Sequence, residues 1–150
     1  MLVKEIKEFN ELSTRDLYKI LRLRSEVFVV EQNCVYQDLD GKDYQAFHML
    51  GYHDNDLVAY TRIFKPGDYF KEVSIGRVVV SSIQRGSGFG YEIMKFSIDF
   101  ATKNWSASGL RISAQTYLTR FYNNLGFQQV GQEYLEDGIP HINMVRNQIN

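Results

Sequence analysis

The hexapeptide Arg85-Gly86-Ser87-Gly88-Phe89-Gly90 stands between a valine run, Val78-Val79-Val80, and a stretch that puts Phe89, Ile93, Phe96 and Phe100 on one helical face. A turn of this composition can hold an anion. Successive main-chain N–H groups converge at the helix start, the helix dipole stands behind them, and glycine permits close approach and unusual dihedrals. The residues present exclude two familiar versions of such a site. A dinucleotide fingerprint needs Gly-x-Gly-x-x-Gly, and counted from Gly86 its last place is filled by Tyr91. A P-loop needs Lys and then Ser or Thr after its final glycine, where this chain has Tyr91 and Glu92. What is left is Arg85-x-x-Gly88-x-Gly90, either an anion cradle or a plain tight connection.

Other reactive groups stand apart. Cys34 is the single cysteine, which excludes an intramolecular disulfide and a Cys-x-x-Cys metal knuckle, and it has no local His or acidic partner to make it a nucleophile. No pair of histidines at ligand spacing joins a cysteine or carboxylate cluster, so no metal is expected. Arg77 lies inside an apolar run, where a guanidinium needs a partner: a salt bridge at the sheet edge, or an anionic part of a bound molecule.

Positioning these residues falls to a regular alternation of elements. The run 2–9 reads as a strand; Ser13 with Asp16 three residues on reads as an N-cap, and Leu17, Ile20, Leu21, Arg24, Val27 and Phe28 follow at helical spacing. Residues 31–44 dissolve into Asn, Asp and Gly and read as a loop of the kind that walls a site. Runs 46–52 and 57–64 flank His53-Asp54-Asn55-Asp56, which predicts a hairpin. Strands over 73–80, 110–115, 127–130 and 139–145, with a short helix over 119–125 stopped by Gly126, complete the order β-α-β-β-β-α-β-α-β-β. The expected fold class is α/β, a mixed sheet with helices on both faces.

Neither a repeat nor a low-complexity stretch divides the chain, so a single domain over residues 1–150 is expected. A formal charge of −1 lacks the basic excess of a nucleic-acid binder. No apolar stretch reaches signal-peptide or membrane-span length, which with the lone cysteine predicts a soluble, cytoplasmic protein. Aromatic strand segments near the C-terminus would allow pairing into a homodimer.

Two segments, 78–90 and Phe121-Tyr122-Asn123-Asn124-Leu125-Gly126-Phe127, resemble in order and spacing the coenzyme A signature and the tyrosine segment of the GNAT superfamily of N-acetyltransferases. The likeness covers nearly the whole chain. It is closer still to the ElaA-like branch in LRSEVFVVEQ (23–32), LDGKD (39–43), IGRVVV (75–80) and EYLEDGIPH (133–141). The resemblance implies a mostly antiparallel central sheet that parts between strands 73–80 and 110–115, and acetyl-CoA as donor cosubstrate. Main-chain amides of Arg85, Gly86, Ser87, Gly88, Phe89 and Gly90 would hold its pyrophosphate and Val78, Val79 and Val80 its pantetheine arm. An amide near Val79 or Val80 would polarise the thioester, and Tyr122 would protonate the leaving thiolate.

The acceptor implied is a primary amine of a small molecule or peptide, attacking directly without a covalent enzyme intermediate. A protonated amine cannot attack, so a base or a water chain must take its proton. Glu31, Asp38, His48 and His141 are the candidates, with Glu31 and His141 placed nearest the expected acceptor pocket. The alternative is a non-catalytic acyl-CoA-binding sensor or interaction module built on the same turn.

Overall fold

The computed structural model describes residues 1–147. Seven strands form one sheet: β1 (Val3–Glu8), β2 (Phe47–His53), β3 (Asp56–Phe64), β4 (Val73–Val80), β5 (Leu110–Gln115), β6 (Gln128–Glu136) and β7 (Ile139–Arg146), in the spatial order β1-β2-β3-β4-β5-β7-β6. Three helices accompany them, α1 (Thr14–Arg24), α2 (Phe89–Asn104) and α3 (Thr119–Asn123). Every neighbouring pair is antiparallel except β4 with β5. This is the mixed, mostly antiparallel sheet that the sequence pattern and its resemblance predict. Among the described residues no helix is long and apolar enough to cross a membrane.

The sheet is covered on both faces, and side-chain alternation shows how. Met49 and Ala59 enter the larger core with Ile93, Met94 and Ile98 of α2, while their neighbours Leu50 and Tyr60 enter a second core with Ile20 and Leu23 of α1. Strands buried on both faces need apolar residues at successive positions, which Leu57 to Tyr60 and Val78 to Val80 supply. The α1 start matches its signature: Ser13 Oγ accepts from the Asp16 amide at 3.0 Å and Asp16 Oδ2 accepts from the Ser13 amide at 3.3 Å.

Residues 32–45 carry little regular structure and are held by charge. The buried Arg24 donates to Asp38 Oδ2 at 2.9 Å and Asp43 Oδ1 at 2.8 Å; the buried Arg62 donates to Asp40 Oδ2 at 2.6 Å and Asp43 Oδ1 at 3.0 Å. Arg77 Nε lies 2.7 Å from Asp38 Oδ1. A charge removed from water is tolerated only when paired and hydrogen-bonded, and these three guanidiniums and three carboxylates pair with one another, with Arg62 Nε and Arg77 Nε left without a hydrogen bond among the described residues. His48 is a strut of the same cluster. Its Nε2 donates to the Asp43 carbonyl at 2.9 Å, its Nδ1 accepts from the Tyr60 hydroxyl at 2.6 Å, and burial lowers its pKa.

Two local expectations are corrected. Helical spacing continues past Arg24, but residues Ser25–Glu31 wind as a π-helix, with the Gln32 amide bonding the Val27 carbonyl. The strand expected to end at residue 130 runs as β6 to Glu136, its polar residues concealed from a hydrophobic-pattern reading because this edge strand is largely exposed.

The carboxylates fix the acid limit of stability. Burial alone would raise Asp16, but the Lys7 ammonium at 2.9 Å, the Tyr52 hydroxyl at 3.0 Å and Ser13 hold it at about 2. Burial likewise opposes, and the Arg62 and Arg24 guanidiniums overcome, in lowering Asp40 and Asp43. Groups with depressed folded-state pKa values stabilise fully above the unfolded value of 3.8 and lose that contribution as pH falls through the folded one. Urea midpoints measured from pH 7 downward should stay level until about pH 4 and then fall steeply; a midpoint unchanged at pH 3 would contradict the assignment.

Candidate active site

β4 and β5 pair only at Val73↔Leu110 and Ser74↔Arg111, then part. The freed edge of β4 lines a slot. β3 pairs Arg62 with Gly76 and Tyr60 with Val79, so over this interval β4 carries one extra residue. The surplus falls at Arg77, whose φ of +49° is costly for a side chain. Beyond this bulge, the Ser81 amide bonds the Val58 carbonyl of β3 at 2.8 Å. Alternation then turns Val79 toward β3 and Val80 and Val78 toward the slot, and the Val80 carbonyl accepts from Arg85 Nη2 at 3.2 Å. The amides that this alternation turns away from β3 are those of Val78 and Val80.

The glycine turn closes one end of the slot. Gly86 and Gly88 have φ of +86° and +80°, conformations glycine adopts without strain. Gly88 is the N-cap of α2 and offers no side-chain acceptor, so the first amides of the helix are left for another partner. A turn-side cavity of about 520 Å³ lies here, bounded by this turn, Val78 to Val80, and Phe121. On the other side of the slot a hairpin-side cavity of about 470 Å³ reaches the β6–β7 turn and the 32–45 segment. Both are of ligand size. Six residues line both: Phe28, Gln32, Val78, Gln115, Leu118 and Tyr122.

Tyr122 is fixed from below. Its carbonyl accepts from Leu125 at 3.0 Å and from Phe127 at 3.1 Å, a helix stop that Gly126 permits with φ of +92°. Its ring packs edge-on against Phe121 and Phe127. The side chain is buried, and none of the described residues hydrogen-bonds its hydroxyl. Burial, with Tyr117 nearby, pushes its pKa up, so the phenol keeps its proton at neutral pH. Across the hairpin-side cavity, His141 Nδ1 lies 2.7 Å from the Ile139 carbonyl and must donate to it, which leaves Nε2 to face Glu136 Oε2 at 3.4 Å. Ser113 Oγ lies 3.4 Å from Glu136 Oε1 and bonds the Tyr134 hydroxyl closely.

Comparison with known proteins fits this geometry. Residues 10–147 match the acetyltransferase (GNAT) domain. The chain belongs to the GNAT acetyltransferase family. Protein ElaA of Escherichia coli is 46% identical over 142 residues, 93% of each chain. Its crystal structure superposes with a TM-score of 0.92, covering 98% of this chain and all of that one. A crystal structure of an acyl-CoA N-acyltransferase from Pseudomonas aeruginosa, 41% identical, covers 97% of this chain and 99% of its own, also with a TM-score of 0.92. At 14% identity an aminoglycoside 6'-N-acetyltransferase complexed with coenzyme A shares the fold, with a TM-score of 0.73 over 97% of this chain and 98% of that one. The protein is thus a transferase of the GNAT type.

On this GNAT scaffold the residues singled out from sequence fall into two groups. Val78, Val79, Val80, Arg85, Gly86, Gly88, Phe89 and Gly90 line the turn-side cavity, and Ser87 stays off its wall. Glu31 lies there too, ion-paired to Arg85 with Nη2 at 3.1 Å from Oε1, and not in the hairpin-side cavity with His141. Asp38 is enclosed between Arg24 and Arg77. Cys34 donates to the Asp137 carbonyl at 3.4 Å, fastening the 32–45 segment to the β6–β7 turn. Arg77 finds its partners in Asp38 and Asp40. Sequence reading missed Gln32 and Gln115, whose amides bond across the slot at 3.3 Å, together with Ser113 and Glu136. A polar residue alternating with buried ones on β5 was the one signal for Ser113 and Gln115.

The bulge generates a test. Arg77→Ala loses the ion pairs and keeps the left-handed backbone demand; Arg77→Gly loses the same pairs but meets that demand freely. The Gly variant should unfold in urea with about 1 kcal/mol more stability than the Ala variant. Equal midpoints would mean that Arg77 carries no backbone strain.

Proposed function

We propose that the protein moves an acetyl group from acetyl-CoA to a primary amine of a small molecule or peptide, by direct attack and without an acyl-enzyme. Acetyl-CoA, as donor substrate, supplies an activated thioester. Main-chain amides from Arg85 to Gly90 and the open N-terminus of α2 hold its pyrophosphate. The Val78 and Val80 main chain bonds the pantetheine arm and polarises the thioester carbonyl, where amide donors aimed at a developing oxyanion lower the barrier. The observation that carries the reading is the position of Tyr122. It is a buried, protonated phenol on the wall shared by the donor-side and hairpin-side cavities.

The amine nitrogen forms the new C–N bond as the C–S bond breaks. Tyr122 gives its proton to the departing sulfur. His141, with its Nδ1 hydrogen committed to the Ile139 carbonyl, takes the proton shed by the amine at Nε2, and Glu136 steadies the resulting imidazolium. Glu31, against Arg85, belongs to the donor side, where it holds that guanidinium at the mouth of the turn. Cys34 has no part in the transfer.

Coenzyme A titrated into the protein in a calorimeter should bind at one site, and Gly88→Val, a β-branched side chain at a positive φ, should abolish that heat. Tyr122→Phe should lower kcat about a hundredfold while leaving acetyl-CoA affinity within about twofold. A Phe variant that turns over at the original rate, or that loses affinity and rate together, would remove Tyr122 from the acid role.

A further inference from the structure

Resting on the acetyl-transfer reading, we infer that the hydrogen-bonded amide pair of Gln32 and Gln115 sets the length of acyl chain the donor can carry, admitting acetyl and obstructing longer chains. Residues shared by two neighbouring cavities stand at their junction. Here these are Phe28 and Gln32 in and just after the π-helical segment, Val78 of β4, Gln115 of β5, and Leu118 and Tyr122 beyond it, so the six surround the passage from the turn side to the hairpin side. In the transfer reading the donor lies on the turn side and the Tyr122 hydroxyl meets its sulfur. Whatever hangs from the thioester carbonyl therefore reaches this junction next.

Gln32 and Gln115 close across the junction. Gln32 Nε2 donates to Gln115 Oε1 at 3.3 Å, and Gln115 Nε2 donates back to Gln32 Oε1 at 3.3 Å. Both residues are half-buried, and neither side-chain amide has another hydrogen-bond partner among the described residues. Both ends are anchored in the main chain. The Gln32 main-chain amide bonds the Val27 and Val30 carbonyls where the π-helix stops, and Gln115 is the last residue of β5, in register with His141 of β7. An acetyl group ends in its methyl at the junction and leaves the bridge whole. A butyryl group adds two methylenes, whose onward path leads toward Ile112 and Ile139 of the hairpin-side cavity and parts the two amides. Burying two methylenes raises affinity about tenfold, and losing two neutral hydrogen bonds forfeits a factor of the same order. With the bridge in place the two effects offset each other; without it the gain stands unopposed.

Calorimetric titration of free coenzyme A, acetyl-CoA and butyryl-CoA into the full chain tests this with no acceptor present. The intact protein should bind butyryl-CoA no more tightly than acetyl-CoA. Gln32→Met keeps most of the side-chain bulk, removes both bonds and leaves a flexible chain that yields to the ligand, so it should bind butyryl-CoA about tenfold more tightly than acetyl-CoA. Gln115→Met should do the same. Because the bonds are reciprocal, the double variant should change the ratio by less than about twofold beyond either single one. Binding of free coenzyme A by each variant reports that it is folded. A tenfold preference for butyryl-CoA in the intact protein, Met variants that keep the intact protein's ratio, or two single effects that add in the double variant would each overturn the bridge as the determinant of chain length while leaving the transfer reading in place. Absence of coenzyme A binding to the intact protein would overturn the transfer reading itself.

Discussion

β4 and β5 are joined through Val73 with Leu110 and Ser74 with Arg111, after which two parallel strands in the middle of a sheet separate. A strand that leaves its ladder exposes amides and carbonyls that ordinarily cannot be buried without partners. The molecule manages this by making the opening a place for something else. The Arg77 bulge re-aims the strand, Arg85 reaches back to the Val80 carbonyl, and the facing amides of Gln32 and Gln115 bond across the gap. The glycine turn at one end and the His141 side at the other are consequences of this fork, because residues of both diverging strands wall each cavity.

The arginine–aspartate cluster is the second constraint, and it serves the first. Residues 32–45 bury few apolar side chains, so their ordering rests on charge-assisted bonds from Arg24, Arg62 and Arg77. One of those guanidiniums springs from the strained residue of the bulge. A buried ionic cluster contributes less net stability than its distances suggest, since desolvation offsets most of the attraction. What it does contribute is position: through Asp40, Arg62 and Arg77 it sets one wall of the hairpin-side cavity.

Much of the architecture could be read from residue order because local and global preferences agree. Ser13 and Asp16 announce α1, the His53–Asp56 turn announces a hairpin, and valines followed by alternating glycines announce strand, turn and helix. The parts that escaped share a cause, which is that their partners are distant in the chain. Nothing adjacent to Arg77 reveals Asp38, 39 residues away, and nothing near Gln32 reveals Gln115, 83 residues on. Glu31 beside an apolar run gave no hint that Arg85 would capture it. The length of β6 was hidden because an exposed edge strand may be polar throughout.

The π-helical segment Ser25–Glu31 fixes the spacing of the turn-side cavity's wall by counting residues. Its bonds reach five residues back where an α-helix reaches four, so the segment accommodates one residue more per turn. Phe28 within it and Gln32 at its end both reach the slot. Removing one residue between Arg24 and Gln32 lets the winding close to an α-helix while the residues on either side keep their facing. Removing a second turns everything beyond by about 100°, so the segment has room for one deletion and no more.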